Sequence, residues 1–149
     1  MGKNNYKKFL LILTLSFFIM YIVMFLNVYN LNHVYLSLTR LYMALLMVSA
    51  MSPLMLVFMK NMYKNKKLNK IIILISIFVF LLSLILLRIQ VPIGDEQYIK
   101  AMIPHHSSAI LTSQEANIKD PEVKILAEQI IEAQEKEIEQ MKNILERLE

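Results

Sequence analysis

Three long apolar segments occupy most of the first 90 residues of this chain. They cover residues 9–28, 41–59 and 71–87, and none of them contains a charged side chain. A helix of about 20 apolar residues spans the roughly 30 Å hydrocarbon core of a bilayer. We therefore predict three transmembrane helices in a chain of the all-α class. The first segment is too long for a cleaved signal peptide and lacks a small-residue cleavage site after it, so we interpret it as a retained span.

The charges divide the chain at about the same point. Residues 1–88 carry ten basic and no acidic side chains, whereas residues 89–149 carry six basic and twelve acidic ones. Eight of the ten are lysines before the first span or between the second and third spans; Arg40 and Arg88 lie at the opposite ends of the spans. Because basic loops stay in the cytoplasm, we predict a cytoplasmic (inner) membrane protein with its N-terminus inside and its acidic tail outside. Because the basic residues lie in short loops next to the membrane, we do not expect a nucleic-acid partner.

The acidic tail has the pattern of a helical hairpin. We divide the chain into a transmembrane domain over residues 1–90 and an extracytoplasmic hairpin domain over residues 91–149. Asp95 is the expected N-cap of a first helix that runs to about residue 117, and Asp120 with Pro121 is expected to start a second helix that runs nearly to residue 149. About 55 residues bury too little surface to be stable alone, so we expect a half-bundle that homo-oligomerisation completes as a four-helix bundle.

The first tail helix contains the candidate metal ligands. Met102, His105 and His106 lie in the sequence Met-Ile-Pro-His-His, and at about 100° per residue their side chains share one arc of a helix. A thioether with imidazoles suits copper, and Cu(I) in particular, better than calcium or magnesium. The chain has no cysteine, which excludes thiolate sites. The alternative interpretation is that Met102 fills the core and the histidines are ordinary polar residues.

An antiparallel hairpin with its turn at residues 117–120 would pair residues whose numbers sum to about 237. This register places His105 opposite Glu132 and leaves Met141 near Tyr98, so Met141 is the weaker ligand within one hairpin. Gln134 is a polar residue on the apolar stripe of the second helix, and we expect its amide to orient an imidazole. The stripe is also interrupted at Glu137, where the neighbouring Ile138 can continue it.

A second methionine pattern lies in the middle span. Its methionines recur at every fourth residue: Met43, Met47, Met51, Met55 and Met59. This ridge would either pass Cu(I) across the membrane or provide flexible packing between helices. The polar loop after the first span could supply an entry site through Asn27, Asn30, Asn32 and His33.

Catalytic patterns are not evident, so we expect a non-enzymatic protein. Met102 stands where a di-iron carboxylate bundle would need the glutamate of its Glu-x-x-His motif. The chain has two glycines and shows neither a nucleophile elbow nor a phosphate loop.

Residues 102–106, Met-x-Pro-His-His, and residues 134–141, Gln-x-x-Glu-Ile-x-x-Met, resemble domain-of-unknown-function family 305. The resemblance covers about residues 95–149, and the three-span arrangement resembles the membrane-anchored branch of that family. It implies a ferritin-like helical fold and copper binding of the kind associated with copper tolerance in some periplasmic or secreted members. It also implies the ligand set Met102, His105, His106 and Met141.

We therefore expect a membrane-anchored protein that sequesters or hands on Cu(I) outside the cytoplasmic membrane. The alternative is a structural or regulatory membrane subunit whose hairpin mediates oligomerisation or partner docking without metal. A transporter that uses the methionine ridge is a third hypothesis.

Overall fold

The computed structural model describes residues 2–148, and the side chains of residues 4–148. Within this range the chain is helical and contains no strand, which confirms the all-α prediction. The five helices, with a short 3-10 turn at Leu31–His33 between the first two, are α1 (Gly2–Val23), α2 (Leu38–Phe58), α3 (Lys66–Ile89), α4 (Asp95–Glu115) and α5 (Pro121–Leu148).

The helices belong to two compact units. The membrane-helix unit contains Met1–Val23 and Thr39–Pro92, and the hairpin unit contains Met24–Leu38 and Ile93–Glu149. The hairpin unit thus includes the segment between α1 and α2, which lies within the predicted transmembrane domain of residues 1–90.

Helices α1, α2 and α3 are each long and apolar enough to cross a membrane, over Asn4–Val23, Leu38–Phe58 and Lys66–Ile89. The first of them ends at Val23 rather than at residue 28. The apolar residues that follow form a turn instead, and Phe25 is buried with only 7% of its surface exposed. The apolar run is thus longer than the helix, and its last residues belong to the hairpin unit. The third helix begins before its predicted start because Asn65 caps it, its Oδ1 accepting the Leu68 N–H at 3.0 Å.

The methionine ridge of α2 is divided between different surroundings. Met55 packs against the buried cluster of Phe9, Leu56 and Tyr63. Met51 is half-buried, whereas the other three side chains, Met43, Met47 and Met59, are exposed. Within the described part of one chain, the ridge therefore does not form a continuous buried row.

In the hairpin unit, α4 and α5 pack antiparallel around a core of isoleucines and a leucine. The buried members are Ile99, Ile103, Ile110, Ile138 and Leu145, and Tyr35 of the segment between α1 and α2 packs against them. The apolar stripes of the two helices face each other, as their periodicity requires.

The caps of the hairpin helices differ from each other. Asp120 caps α5 as predicted, since its Oδ1 accepts the N–H groups of Glu122 at 2.9 Å and Val123 at 3.0 Å. Asp95, predicted to be the N-cap of α4, is instead its first helical residue, and Gly94 occupies the cap position without a side-chain bond. The predicted ends also shift: α4 stops at Glu115 and α5 at Leu148, with residue 149 outside the described residues.

The register of the hairpin differs from the predicted one. His106 contacts Glu137, so paired numbers sum to about 243 instead of 237 and α5 is displaced by more than one turn. The backbone at Ala116, directly after α4, is extended, and in this register the first turns of α5 lie beyond the end of α4. The first turns of α5 consequently leave Val123, Ile125 and Leu126 exposed.

Candidate metal site in the helical hairpin

The displaced register brings two methionines and a histidine to one cavity between α4 and α5. The cavity has a volume of about 580 Å³, and its lining includes Met102, His106, Glu137 and Met141. Its remaining walls are partly apolar, with Ile99 and Ile144 among them. Met141, which the predicted register placed near Tyr98, shares this cavity with both Tyr98 and Met102.

His106 is the buried histidine of the Met-Ile-Pro-His-His sequence, with 9% of its surface exposed. Helix α4 continues through the buried Pro104, so His106 keeps its helical position relative to Met102. Its Nδ1 lies 3.0 Å from the carbonyl oxygen of Met102, and its Nε2 lies 2.7 Å from Oε2 of Glu137. One ring nitrogen is therefore held by its own helix and the other by α5.

These two contacts define which atom could bind a metal. A carbonyl oxygen only accepts hydrogen bonds, so Nδ1 carries a hydrogen and donates it to Met102. Nε2 is then the nitrogen that can coordinate, and the hydrogen it shares with Glu137 would have to leave. The Nδ1 contact is the type of bond that fixes the tautomer of ligating histidines.

His105 has a different environment. Its side chain is exposed, and its ring centroid lies 6.0 Å from that of His106 with the planes inclined at 75°. Consecutive helical residues point about 100° apart, so only one histidine of the pair can face α5. His105 does not line the cavity between the two helices.

On α5 a carboxylate, instead of the predicted amide, contacts the imidazole of His106. Gln134 is half-buried and does not line the cavity, whereas Glu137 bonds to the imidazole. In the sequence the apolar stripe continues through Ile138, so the pattern alone favours Ile138 over Glu137 as the inward-facing residue. The interruption of that stripe, within the Gln-x-x-Glu-Ile-x-x-Met sequence, is the signal that could have identified it.

The donor set limits which ions the cavity could hold. Among residues 2–148, no group of three or more histidine, aspartate or glutamate side chains is placed to bind a metal. A site at His106 would therefore depend on the thioethers of Met102 and Met141. Such ligands fit a soft cation and are poor ligands for calcium or magnesium.

A second polar cluster fastens the segment between α1 and α2 to α4. Ser107 is fully buried, and its Oγ accepts the N–H of Tyr29 at 2.8 Å and lies 2.9 Å from Nδ1 of His33. Burial lowers the pKa of His33 below its ordinary value, and the charge of Lys142 lowers it further. A neutral ring accepts the Ser107 hydroxyl hydrogen at Nδ1, so the hydroxyl both accepts and donates.

The same segment has further contacts in the hairpin unit. The N–H of Leu38 donates to Oε1 of Gln97 at 3.0 Å, and Asn30 caps the short 3-10 turn through the N–H of Asn32. A smaller cavity of about 250 Å³ lies beside His33 and is also lined by Tyr29, Ile110 and Lys142. His33, expected as part of an entry site, is thus a fixed part of the loop.

The fold and the site define a class of helical protein. Three helices able to span a membrane accompany a helical hairpin, and methionine, histidine and glutamate side chains line the cavity of that hairpin. The chain belongs to the family described as Domain of unknown function (DUF305), whose model matches residues 84–145. It is similar to the Uncharacterized protein L153 of Acanthamoeba polyphaga mimivirus, with 36% identity over 119 residues, which are 78% of this chain and 76% of that protein. No solved structure matches the chain significantly.

Proposed function

We propose that this protein is a non-enzymatic, membrane-anchored copper-binding protein that sequesters or hands on Cu(I). The observation that supports this function most is that Met102, His106 and Met141 line one cavity of the hairpin. Two thioethers and one imidazole form a donor set that favours Cu(I) over harder ions. Methionine side chains are flexible enough to close on an ion from two facing helices.

The proposal includes an orientation in the cytoplasmic membrane. The N-terminus and the lysine-rich loop lie inside, and the hairpin lies outside, because basic loops are retained in the cytoplasm. Copper would then be bound on the outer side. The ferritin-like half-bundle becomes a complete bundle when two copies join, and the exposed side chains of Val123, Ile125 and Leu126 are apolar surface that a second copy could cover.

His105 has a distinct place in this proposal. Because it is exposed, it contributes to a metal site only if a second copy or a rearrangement brings it to one. Within a single hairpin, Met102, His106 and Met141 are the ligands. Glu137 loses its contact with Nε2 of His106 when the metal binds there.

The test is a Cu(I) titration of the full chain in detergent against a chromophoric competing chelator. His106→Ala and the double variant Met102→Leu/Met141→Leu should each weaken binding at least roughly tenfold, because each removes ligands of a soft ion. His105→Ala is the matched control and should retain most of the affinity. Equal retention of copper by all four proteins would remove the proposal.

A structural or regulatory subunit without metal is the second candidate. The observation that favours it is the 2.7 Å contact between His106 and Glu137, which joins α4 to α5 without any ion. This function requires that His106→Ala lowers hairpin stability or assembly in metal-free buffer and that the unaltered protein takes up no Cu(I). Chemical crosslinking and thermal unfolding, both in the presence of a metal chelator, distinguish the two candidates.

A further inference from the structure

One end of the membrane-helix unit carries a concentrated positive charge, which we call the lysine surface. It consists of exposed lysines from two separate segments, the start of α1 and the connection from α2 to α3: Lys7, Lys8, Lys60, Lys64, Lys66, Lys67 and Lys70. The first acidic residue of the chain is Asp95, so the membrane-helix unit, which ends at Pro92, has no carboxylate side chain to neutralise them.

Hydrogen bonds hold the two lysine-bearing segments together. The side-chain amide of Asn5 donates to the carbonyl oxygen of Met62 at 3.2 Å. Tyr6 accepts the N–H of Asn65 at 3.2 Å and donates its hydroxyl to Oδ1 of Asn69 at 2.7 Å. The start of α1 is thus tied to both the connection and the first turn of α3.

An aromatic cluster beneath these bonds fixes the arrangement. Tyr63 is 2% exposed, and its ring packs against Phe9 with 5.3 Å between centroids and 74° between planes. The carbonyl oxygen of Tyr63 accepts the side-chain amide of Asn69 at 2.7 Å. A buried and hydrogen-bonded connection places its lysines in a defined arrangement rather than on a free loop.

The position of the surface identifies its partner. Two membrane-spanning helices begin here, α1 and α3, and one ends here, α2. Their polar ends therefore lie at the depth of the lipid headgroups. We propose that the lysine surface binds the headgroups of anionic phospholipids in the membrane that α1, α2 and α3 cross.

This inference rests on the membrane crossing in the proposed function but not on copper. Each lysine next to an anionic membrane surface strengthens the binding of a protein to that surface roughly fivefold. The effect declines within a Debye length of about 8 Å at physiological salt. Several lysines held on one surface without a neutralising carboxylate should therefore prefer phosphatidylglycerol to phosphatidylcholine. If the lysines only set the orientation of the chain, no headgroup preference is expected.

The experiment is native mass spectrometry of the full chain in detergent and metal-free buffer, titrated with phosphatidylglycerol or with phosphatidylcholine of the same acyl chains. The unaltered protein should bind phosphatidylglycerol at least roughly tenfold more tightly at low salt, and the preference should shrink as salt rises. Lys64→Gln/Lys67→Gln/Lys70→Gln should lose most of this preference. The same three positions changed to arginine should keep it, because the charge is retained.

A charge-matched control comes from the hairpin unit. Lys119→Gln/Lys124→Gln/Lys136→Gln removes the same charge elsewhere and should leave the preference unchanged. Equal binding of the two lipids by the unaltered protein, or equal losses in both glutamine variants, would overturn the inference. Neither result would affect the copper proposal, since no metal is present in this experiment.

Discussion

Oε2 of Glu137 on α5 lies 2.7 Å from Nε2 of His106 on α4, so the ring nitrogen available for coordination already has a partner. Cu(I) prefers thioether and imidazole to carboxylate, and Glu137 therefore competes with the metal for this atom. We predict that Glu137→Ala tightens Cu(I) binding by roughly tenfold while destabilising the hairpin by about 1 kcal/mol. The stability cost is modest because the carboxylate is 53% exposed.

Chelator competition and thermal unfolding of the same samples measure the two effects of the Glu137 substitution. Glu132→Ala is a suitable control, because this exposed glutamate lies on the same helix and its removal changes the net charge equally. Weaker Cu(I) binding in Glu137→Ala would instead make the carboxylate a ligand and the site a mixed one.

Adjacent serines on α4 should differ sharply in their contribution to stability. Ser107 is fully buried and joins Tyr29 and His33 to α4, whereas the hydroxyl of Ser108 donates to the carbonyl oxygen of His105 within its own helix. Ser107→Ala leaves the Tyr29 N–H without its acceptor, and we predict a loss of about 1–3 kcal/mol. Ser108→Ala should change the free energy of unfolding by less than about 0.5 kcal/mol.

Hydrogen exchange localises the effect of the serine substitutions. In Ser107→Ala the amides of residues 29–38 should exchange faster, because the segment between α1 and α2 loses its attachment to α4. Unchanged exchange of these amides would show that the contacts of Tyr35 and Leu38 are sufficient to hold the segment.

The helical class follows from patterns that depend on neighbouring residues only. Uncharged runs of span length, the Asp120 cap and the apolar stripes of the hairpin are all local signals. The register was not predictable in this way, since it depends on the path of the connector after Glu115. The pattern predicts a turn at residues 117–120, whereas the backbone is already extended at Ala116.

The candidate site shows the same limit. The spacing of Met102 and His106 predicts that they share one arc of the helix. Their shared cavity with Met141 depends on the register of the hairpin. The pattern did not indicate Glu137, because the neighbouring apolar Ile138 continues the stripe. The role of His33 was equally inaccessible, because its contact with Ser107 joins residues that are 74 positions apart.

The two aspartates at the starts of α4 and α5 should not be equivalent. Asp120 accepts two backbone N–H groups of α5, whereas Asp95 is already inside α4 and Gly94 is the cap. Asp120→Ala should destabilise the hairpin by about 1 kcal/mol. Asp95→Ala should cost only a few tenths of a kcal/mol, from its interaction with the helix dipole. Chemical unfolding of both variants checks this, and equal losses of stability would contradict the difference between the two caps.

Acid should loosen the attachment of the segment between α1 and α2. Burial and the charge of Lys142 lower the pKa of His33 below 6.5, so the folded protein favours the neutral ring that accepts the hydroxyl hydrogen of Ser107. In the unfolded chain His33 takes up a proton at about pH 6.5. The contribution of His33 to stability is therefore complete above that pH and is lost progressively as the pH falls towards the lowered pKa.

The measurement is thermal unfolding of the hairpin unit within the full chain between pH 7.5 and pH 5, with His33→Asn as the comparison. Asparagine presents an oxygen to Ser107 but does not titrate, so its unfolding temperature should fall less as the pH is lowered. The two proteins differ only at residue 33, so contributions from the rest of the chain cancel in the difference. Parallel pH profiles for the two proteins would show that the neutral His33 ring does not stabilise the attachment, and that the segment between α1 and α2 is held by Gln97 and the packing of Tyr35.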